Sequence, residues 1–151
     1  MGSNKYQRYK DKIKLPNDIR WVLKSNEYEM LCKNIYTEVA IKTKKIYSNK
    51  RQAIIMDLDE TVLDNSIYQV ENFNKGQTFN MESWAAWVNR EEADLVPGVK
   101  EYIDLVRVLG IQLIFISNRM DERLEATKQN MKNLNIYIRR ERLVIFMILP
   151  I

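Results

Sequence analysis

Three short runs of apolar residues divide the chain and predict the strands of a sheet. They cover residues 52–58, 111–116 and 143–149, and each has the length of a strand. Around them, apolar residues recur at intervals of three or four positions, which is typical of amphipathic helices. The helices that this spacing predicts cover residues from about 26 to 47, 97 to 110 and 121 to 134. Strands that alternate with helices favour parallel pairing, and hence an α/β protein with a doubly wound sheet.

A long polar and aromatic stretch, residues 64–94, separates the first two predicted strands. Within it, residues 81–90 have helical spacing and place Trp84 and Trp87 on one helix face. Tryptophans at this spacing usually belong to a core, and we predict that role for Trp87. Trp84 has two open interpretations, a core residue or a platform for an aromatic substrate.

Length and composition are typical of one globular domain. The chain has 151 residues, of which 46% are hydrophobic, enough for a single sizeable core. We expect residues 1–17 to form an N-terminal arm and residues 18–151 to form one domain, with a small helical insertion at about 64–94. No apolar run has the length of a membrane span, and the N-terminus lacks the apolar core of a signal peptide.

The formal net charge of +4 is a mild excess. No segment resembles a nucleic-acid-binding motif, so we expect the basic residues to form a solvated face. A smaller role in steering anionic phosphate substrates is the alternative.

Several classes of catalytic site are excluded by residues that the chain lacks. There is no histidine, which removes Ser-His-Asp hydrolases, histidine phosphatases and His-ligated zinc sites. The single cysteine, Cys32, is not followed by the arginine-bearing phosphate loop of cysteine phosphatases. Four glycines are too few and too scattered for a Gly-rich phosphate loop or a dinucleotide fingerprint.

Two carboxylates, Asp57 and Asp59, follow the first apolar strand directly. The carboxyl end of a strand faces the crevice where open α/β sheets bind ligands. Residues two apart on an extended chain point the same way, so both side chains can converge on one ligand. Asp-x-Asp-x-Thr after a strand therefore points to phosphoryl transfer through an aspartyl intermediate.

The chemistry of phosphate monoester hydrolysis gives these residues distinct roles. The reaction needs a nucleophile, a proton donor for the leaving oxygen and positive charge over the phosphoryl oxygens. Asp57 fits the nucleophile, and Asp59 fits the general acid that later acts as base. Thr61 and Ser117, which ends the second strand, offer hydroxyls to the phosphoryl group. A hard cation such as Mg²⁺ would hold the paired carboxylates together.

The same residues resemble a known family. Asp57-x-Asp59-x-Thr61 and then Ser117 are similar to motifs I and II of the haloacid dehalogenase (HAD) superfamily. The run from Asp57 to Ser66 is closer still to the class C acid phosphatases, the bacterial lipoprotein e type 5′-nucleotidases of subfamily IIIB. The further segments that share this resemblance are Tyr68-Gln69, Trp84-x-x-Trp87-Val88, Val96-Pro-Gly98 and Ser117-Asn-Arg119.

The resemblance implies a Rossmann-like HAD fold with a small cap and a magnesium-dependent phosphatase of nucleotides or aryl phosphates. It implies that Asp57 is nucleophile and Mg²⁺ ligand, and that Asp59 is acid and base and binds the metal through its backbone carbonyl. It further implies that Thr61, Ser117 and Asn118 bind phosphate and that Trp84 stacks on the substrate. Family members are exported or displayed at the cell surface, which is the location the resemblance suggests.

The C-terminal residues depart from the family pattern. After Asn135 the family continues to a motif III lysine and an acidic motif IV that completes the metal site. This chain has no acidic residue after Glu141, and its last lysine is Lys132. We therefore expect a truncated member of the family with impaired catalysis.

Two alternatives to an active phosphatase stay open. One is a non-catalytic relative that binds phosphate or nucleotide weakly through Asp57, Ser117 and Trp84. The other is an interaction module whose apolar end, residues 143–151, pairs with a partner strand or a second copy of the chain. The second alternative makes a homo-oligomer possible.

Overall fold

The computed structural model describes residues 15–48, 50–137 and 141–145. Six α-helices and one short 3-10 turn, Asp121–Arg123, occur in these residues. The helices are α1 (Asn17–Lys24), α2 (Asn26–Ile46), α3 (Ser66–Asn74), α4 (Met81–Val88), α5 (Val99–Val108) and α6 (Leu124–Asn133). None of them combines the length and the apolar character that crossing a membrane requires.

Five strands form two sheets in the same residues. The strands are β1 (Ala53–Asp57), β2 (Leu63–Asp64), β3 (Asp94–Leu95), β4 (Gln112–Ser117) and β5 (Arg142–Ile145). The main sheet has the order β1-β4-β5 with both pairings parallel. β2 and β3 form a small antiparallel ribbon. The register places Asp57 opposite Ile116, so the carboxyl ends of β1 and β4 lie side by side.

The predicted α/β architecture with a parallel sheet and flanking helices is confirmed. The predicted strands 52–58 and 111–116 are β1 and β4, and the third run begins as β5, with residues 146–149 outside the described residues. Helices α2, α4, α5 and α6 lie where their spacing predicted. The sequence did not predict α1, α3 or the β2–β3 ribbon.

The two domain boundaries predicted from sequence are described only in part. Of the predicted arm 1–17, the structure describes residues 15–17, where Leu15 is buried and α1 begins at Asn17. The predicted insertion 64–94 consists mainly of α3 and α4, which connect the two strands of the β2–β3 ribbon. Its role as a cap stays a prediction.

Helix α2 begins at a side-chain cap and lies close to the chain that leads into α5. The Ser25 hydroxyl accepts a hydrogen bond from the Tyr28 backbone N–H at 3.1 Å, which satisfies one of the free donors of the first turn. Gly98 has φ of 88°, and a Cβ there would lie 3.0 Å from the Lys33 backbone. Glycine therefore permits both the left-handed turn and the close approach of the two segments.

The core lies between the main sheet and the helices that cover it. Its fully buried members include Leu58, Leu113 and Phe115 from the sheet and its first loop. Ile103 and Met131 pack onto them from α5 and α6. This packing fixes the carboxyl ends of β1 and β4, where the candidate residues lie.

Candidate active site

The loop that follows β1 is a tight turn built around one buried residue, Leu58. Its side chain is fully buried, whereas Asp57 is exposed and Asp59 is half-buried. Its carbonyl accepts the backbone N–H groups of Val62 and Leu63, each at 2.8 Å. Glu60 adopts φ of 59° to make the turn. Burial of Leu58 thus anchors both aspartates at the carboxyl end of the sheet.

Asp57 presents its carboxylate to solvent at the end of β1. Within the described residues, its only side-chain hydrogen bond comes from the Thr61 hydroxyl, at a long 3.3 Å. A carboxylate with so few donors keeps oxygen lone pairs available for attack or for a cation. The predicted pair Asp57 and Thr61 is therefore brought together.

Asp59 has a different environment, because an arginine 60 positions later contacts it. The guanidinium of Arg119 donates from Nη2 to Oδ1 at 2.7 Å and from Nε to both oxygens at 3.2 Å. The side-chain amide of Asn65 also donates to Oδ1, at 3.0 Å. Two aspartates only two positions apart therefore have different environments: Asp57 is open to solvent, whereas Asp59 is held by hydrogen-bond donors.

Ser117 and Asn118 follow β4 but differ in exposure. Ser117 is buried, and its hydroxyl accepts a hydrogen bond from the Arg119 backbone N–H at 3.1 Å. Asn118 is exposed between two buried neighbours. The structure thus brings Ser117 to the site edge beside β1, and its role in binding phosphate stays a prediction, as does that of Asn118.

Trp84 and Trp87 occupy different depths of one aromatic cluster. Trp87 is buried in the core, as predicted, and its indole N–H donates to the side-chain oxygen Oδ1 of Asn65 at 2.9 Å. Trp84 is half-buried, and its ring centroid lies 5.1 Å from that of Tyr68. The Arg119 guanidinium carbon lies 5.5 Å from the Trp84 ring centroid. Trp84 therefore lies beside the Asp59 pair while it also packs against the core.

A tyrosine from α2 holds the loop that carries the aspartates. The hydroxyl of Tyr36 donates to the backbone carbonyl of Thr61 at 2.6 Å. Burial raises the pKa of Tyr36 to about 12. This contact joins α2 to the candidate site across 25 positions of sequence.

Replacing Tyr36 with phenylalanine should lower the free energy of unfolding by about 1 kcal/mol at pH 7, because the Thr61 carbonyl loses its donor. The folded state raises this pKa from 10.0 to about 12, so it binds the phenolic proton more tightly than the unfolded chain. The resulting stability is fully present below pH 10 and is lost as the pH rises towards 12. Urea unfolding at pH 7 and 11 should show a smaller gap between parent and variant at pH 11.

The exposed Tyr47 supplies a matched control for that measurement. Tyr47→Phe should leave the free energy of unfolding at pH 7 unchanged. An equal loss of stability in both variants would contradict the role given to the Tyr36 hydroxyl.

The donor atoms at the site fit a hard cation only in part. Among the described residues, no three or more Asp, Glu, His or Cys side chains are arranged to hold a metal ion. The exposed Asp57 carboxylate is an oxygen ligand of the type that Mg²⁺ prefers. The Asp59 carboxylate is occupied by Arg119 and Asn65. Any part of Asp59 in a metal site therefore falls to its backbone carbonyl, as the family resemblance implies.

Three residues that contribute to the site were not selected from the sequence. Arg119 reaches the site from the segment after β4, and Tyr36 reaches it from α2. Asn65 bonds to Asp59 from the end of the loop that follows β1. The signal for Arg119 and Asn65 was present, because both belong to segments that resemble the family. Tyr36 had only an interior position in a helical pattern.

The chain is similar to several known proteins. A family model described as "HAD superfamily, subfamily IIIB (Acid phosphatase)" matches residues 6–146. Among solved structures, the class C acid phosphatase from Bacillus anthracis superposes with a TM-score of 0.75 at 28% identity. The same phosphatase with tungstate bound superposes with a TM-score of 0.72 at 26% identity. Both superpositions cover 83% of this chain, and 56% and 55% of the respective phosphatase chains.

Two curated plant relatives are more distant. A 28 kDa stem glycoprotein from Glycine max is 26% identical over 107 residues, which are 70% of this chain and 42% of that protein. A 31 kDa stem glycoprotein from the same plant is 26% identical over 91 residues, 57% of this chain and 36% of that protein. The chain thus spans about half or less of the length of the relatives it matches.

Proposed function

Because this chain belongs to the acid phosphatase family of the HAD superfamily, subfamily IIIB, we propose that it hydrolyses phosphate monoesters through an aspartyl-phosphate intermediate on Asp57. The observation that carries this proposal is the contrast between the two aspartates. Asp57 is exposed, with one long hydrogen bond, at the carboxyl end of β1. Asp59 lies two residues on and is held in place by Arg119 and Asn65. An open nucleophile beside a fixed acid is the arrangement that two-step phosphoryl transfer needs.

The first step forms the covalent intermediate. A carboxylate oxygen of Asp57 attacks phosphorus, and the bond between phosphorus and the ester oxygen breaks. Protonated Asp59 gives its proton to the departing alkoxide, which leaves as the alcohol. The Thr61 hydroxyl, which lies 3.3 Å from Asp57 Oδ2, is placed to donate to a phosphoryl oxygen.

The second step regenerates the enzyme. Water attacks phosphorus while the carboxylate of Asp59 accepts a proton from it. The bond between phosphorus and the Asp57 oxygen then breaks and releases inorganic phosphate. Asp59 ends the cycle protonated, as it began.

Chemical trapping of the intermediate tests this proposal. Hydroxylamine converts an acyl phosphate into a hydroxamate, so incubation with p-nitrophenyl phosphate and hydroxylamine should modify Asp57. Peptide mass spectrometry should find the hydroxamate at position 57 in the unmodified chain and none in Asp57→Asn. A modification at Asp59 instead would reverse the assignment of nucleophile and acid.

We include Mg²⁺ in the proposed function. The ion would supply positive charge over the phosphoryl oxygens, held by the Asp57 carboxylate and the Asp59 backbone carbonyl. Its presence is supported by the family resemblance and by the oxygen donors of this loop, since family members generally use a divalent metal.

Magnesium should raise the melting temperature of the unmodified chain in the millimolar concentration range. A ligand that binds only the folded state stabilises it by RT ln(1 + [L]/Kd). The response should disappear in Asp57→Asn and persist in Asp104→Asn, which removes an exposed carboxylate on α5 that pairs with Lys100. An identical response of all three proteins would contradict a metal site at Asp57.

The proposed substrates are nucleotides or aryl phosphates. Arg119 contacts both Trp84 and Asp59, so Trp84 lies close to the proposed acid. The half-buried Trp84 and its exposed neighbour Phe79 offer stacking surface to a flat leaving group. A solved relative has tungstate bound, and this supports a phosphate-like ligand for the present chain, because tungstate is a tetrahedral oxyanion like phosphate.

A binding protein without catalysis is the second candidate. It is favoured by the observation that the Asp59 carboxylate is already engaged by Arg119 and Asn65, as it would be in an ion pair with a purely structural role. Phosphate binding without any trapped intermediate would support this candidate. We also propose an exported location, which the family resemblance supports. Self-association through a sheet edge is proposed from the apolar residues 143–151 of the sequence.

A further inference from the structure

The ion pair between Arg119 and Asp59 is unusual because the arginine is buried more completely than the acid. The side chain of Arg119 is 1% exposed and that of Asp59 is 17% exposed. A buried guanidinium is costly unless charge and hydrogen bonds compensate it. Here the compensating charge is the carboxylate of Asp59, the proposed acid and base. The ion pair therefore links the stability of the loop after β1 to the proposed proton transfer.

Donors are distributed unevenly over the two oxygens of Asp59. Oδ1 accepts from Arg119 Nη2 at 2.7 Å, from Arg119 Nε at 3.2 Å and from Asn65 Nδ2 at 3.0 Å. Oδ2 accepts only from Arg119 Nε, at 3.2 Å, within the described residues. An oxygen with three donors has no room for a proton, whereas Oδ2 keeps its outer lone pair.

Each donor to Asp59 is itself held in place by a hydrogen bond to a buried residue. Arg119 Nη1 donates to the Thr127 hydroxyl at 3.0 Å, and Thr127 is fully buried on α6. The side-chain oxygen Oδ1 of Asn65 accepts a hydrogen bond from the buried Trp87 indole N–H at 2.9 Å, which turns the side-chain nitrogen Nδ2 of Asn65 towards Asp59. Groups fixed in this way lose little entropy when they orient a reacting side chain.

We propose that Arg119 and Asn65 are positioning residues that fix Oδ1 of Asp59 and reserve Oδ2 as the oxygen that carries the transferred proton. The proposal rests on the function proposed above, with Asp59 as acid and base. In the first step the proton leaves Oδ2 for the ester oxygen, and in the second step Oδ2 receives a proton from water. In this proposal Arg119 and Asn65 act on the reaction through Asp59, which both of them contact.

The alternative is an ion pair that only ties the β1 loop to β4 and α6. Loss of a purely structural pair would lower activity on every substrate by the same factor. Loss of a positioning residue should act selectively, because protonation of the leaving oxygen matters most for a poor leaving group. An alkyl phosphate therefore needs Asp59 more than p-nitrophenyl phosphate does.

The first arm of the test observes the pair without turnover. In ¹H–¹⁵N spectra of the arginine Nε–H groups, the Arg119 signal should be protected from solvent exchange. The signal should shift and lose protection in Asp59→Asn and should stay unchanged in Asp57→Asn. A signal that is the same in all three proteins would overturn the proposal.

The second arm compares kcat/KM for p-nitrophenyl phosphate and glycerol phosphate in Arg119→Lys, Arg119→Met and Asn65→Ala. The ratio of kcat/KM for p-nitrophenyl phosphate to kcat/KM for glycerol phosphate should rise at least about tenfold in Arg119→Met. It should rise by less in Arg119→Lys, which keeps the positive charge but loses the planar guanidinium that donates to both oxygens of Asp59. Arg107→Met is the matched control, since Arg107 pairs with the buried Glu141 at 2.8 Å and does not contact the site residues. Its ratio should equal that of the unmodified chain.

The two arms separate the possible failures. Equal losses on both substrates in Arg119→Lys and Asn65→Ala, with circular dichroism showing folded variants, would overturn the positioning role and leave the phosphatase intact. An unmodified chain without turnover would instead count against the proposed function. The arginine spectra would then decide alone whether Arg119 fixes Asp59.

Discussion

Asp57→Asn should abolish hydrolysis of every phosphate monoester, whereas Asp59→Asn should slow it by about 10²–10⁴-fold. Loss of the nucleophile removes the covalent route entirely. Loss of the acid and base leaves the covalent route open but removes proton transfer to the leaving oxygen and from water, which typically accelerates a reaction about 10²–10⁴-fold. Steady-state assays with a nucleotide and with p-nitrophenyl phosphate measure both effects.

The two substrates also distinguish the roles of the aspartates. Asp59→Asn should lose less activity on p-nitrophenyl phosphate than on a nucleotide, because p-nitrophenolate departs without protonation. Asp57→Asn should show no such preference. Asp104→Asn, on the exposed face of α5, should retain the activity of the unmodified chain, and equal losses on both substrates in Asp59→Asn would count against Asp59 as the leaving-group acid.

Leu58→Ala should lower the free energy of unfolding by about 2–5 kcal/mol and should also reduce activity. The Leu58 side chain is fully buried, so truncation loses its transfer free energy and leaves a cavity. The same residue lies between Asp57 and Asp59 and accepts backbone N–H groups from the turn that follows. Displacing it should therefore move both carboxylates. Urea unfolding and assays below the onset of unfolding measure the two effects separately.

Ile55→Ala is the matched control for that prediction. Ile55 lies on β1, three residues before Leu58, and it is 64% exposed. Its truncation should change the free energy of unfolding by less than about 1 kcal/mol, the span of strand propensities. A comparable loss in both variants would contradict the assignment of Leu58 as the anchor of the loop.

The sequence predicted those parts of the fold that leave a pattern in one short segment. The runs that became β1 and β4 are continuously apolar, which is the pattern of strands in a parallel sheet, although Ile55 of β1 is exposed. Helix α2 was predicted from the cap at Ser25 and the helical spacing of the apolar positions after it, although several of them are exposed. The proximity of Asp57 and Thr61 could be predicted from the sequence as well, because only the end of one strand and one turn connect the two residues.

Helices α1 and α3 were missed because both are short and their apolar positions are few or irregularly spaced. Helix α1 has eight residues, and only Ile19, Val22 and Leu23, all half-buried, form its apolar side, so its periodic signal spans little more than one turn. Helix α3 buries Ser66, Tyr68, Val70 and Asn72, which alternate with less buried neighbours. Contacts on more than one face of a short helix produce this spacing, which does not indicate a helix.

The sequence by itself determined the fold class and the family, and it placed the two candidate aspartates at the end of a strand, because these features depend on short segments of the chain. Only the tertiary structure decided that the aspartates have different environments. Arg119 reaches Asp59 across 60 positions, and Tyr36 reaches Thr61 across 25. Such contacts arise when the sheet brings the ends of β1 and β4 together and α2 packs beside them. Their strength depends on burial, which the folded chain alone establishes.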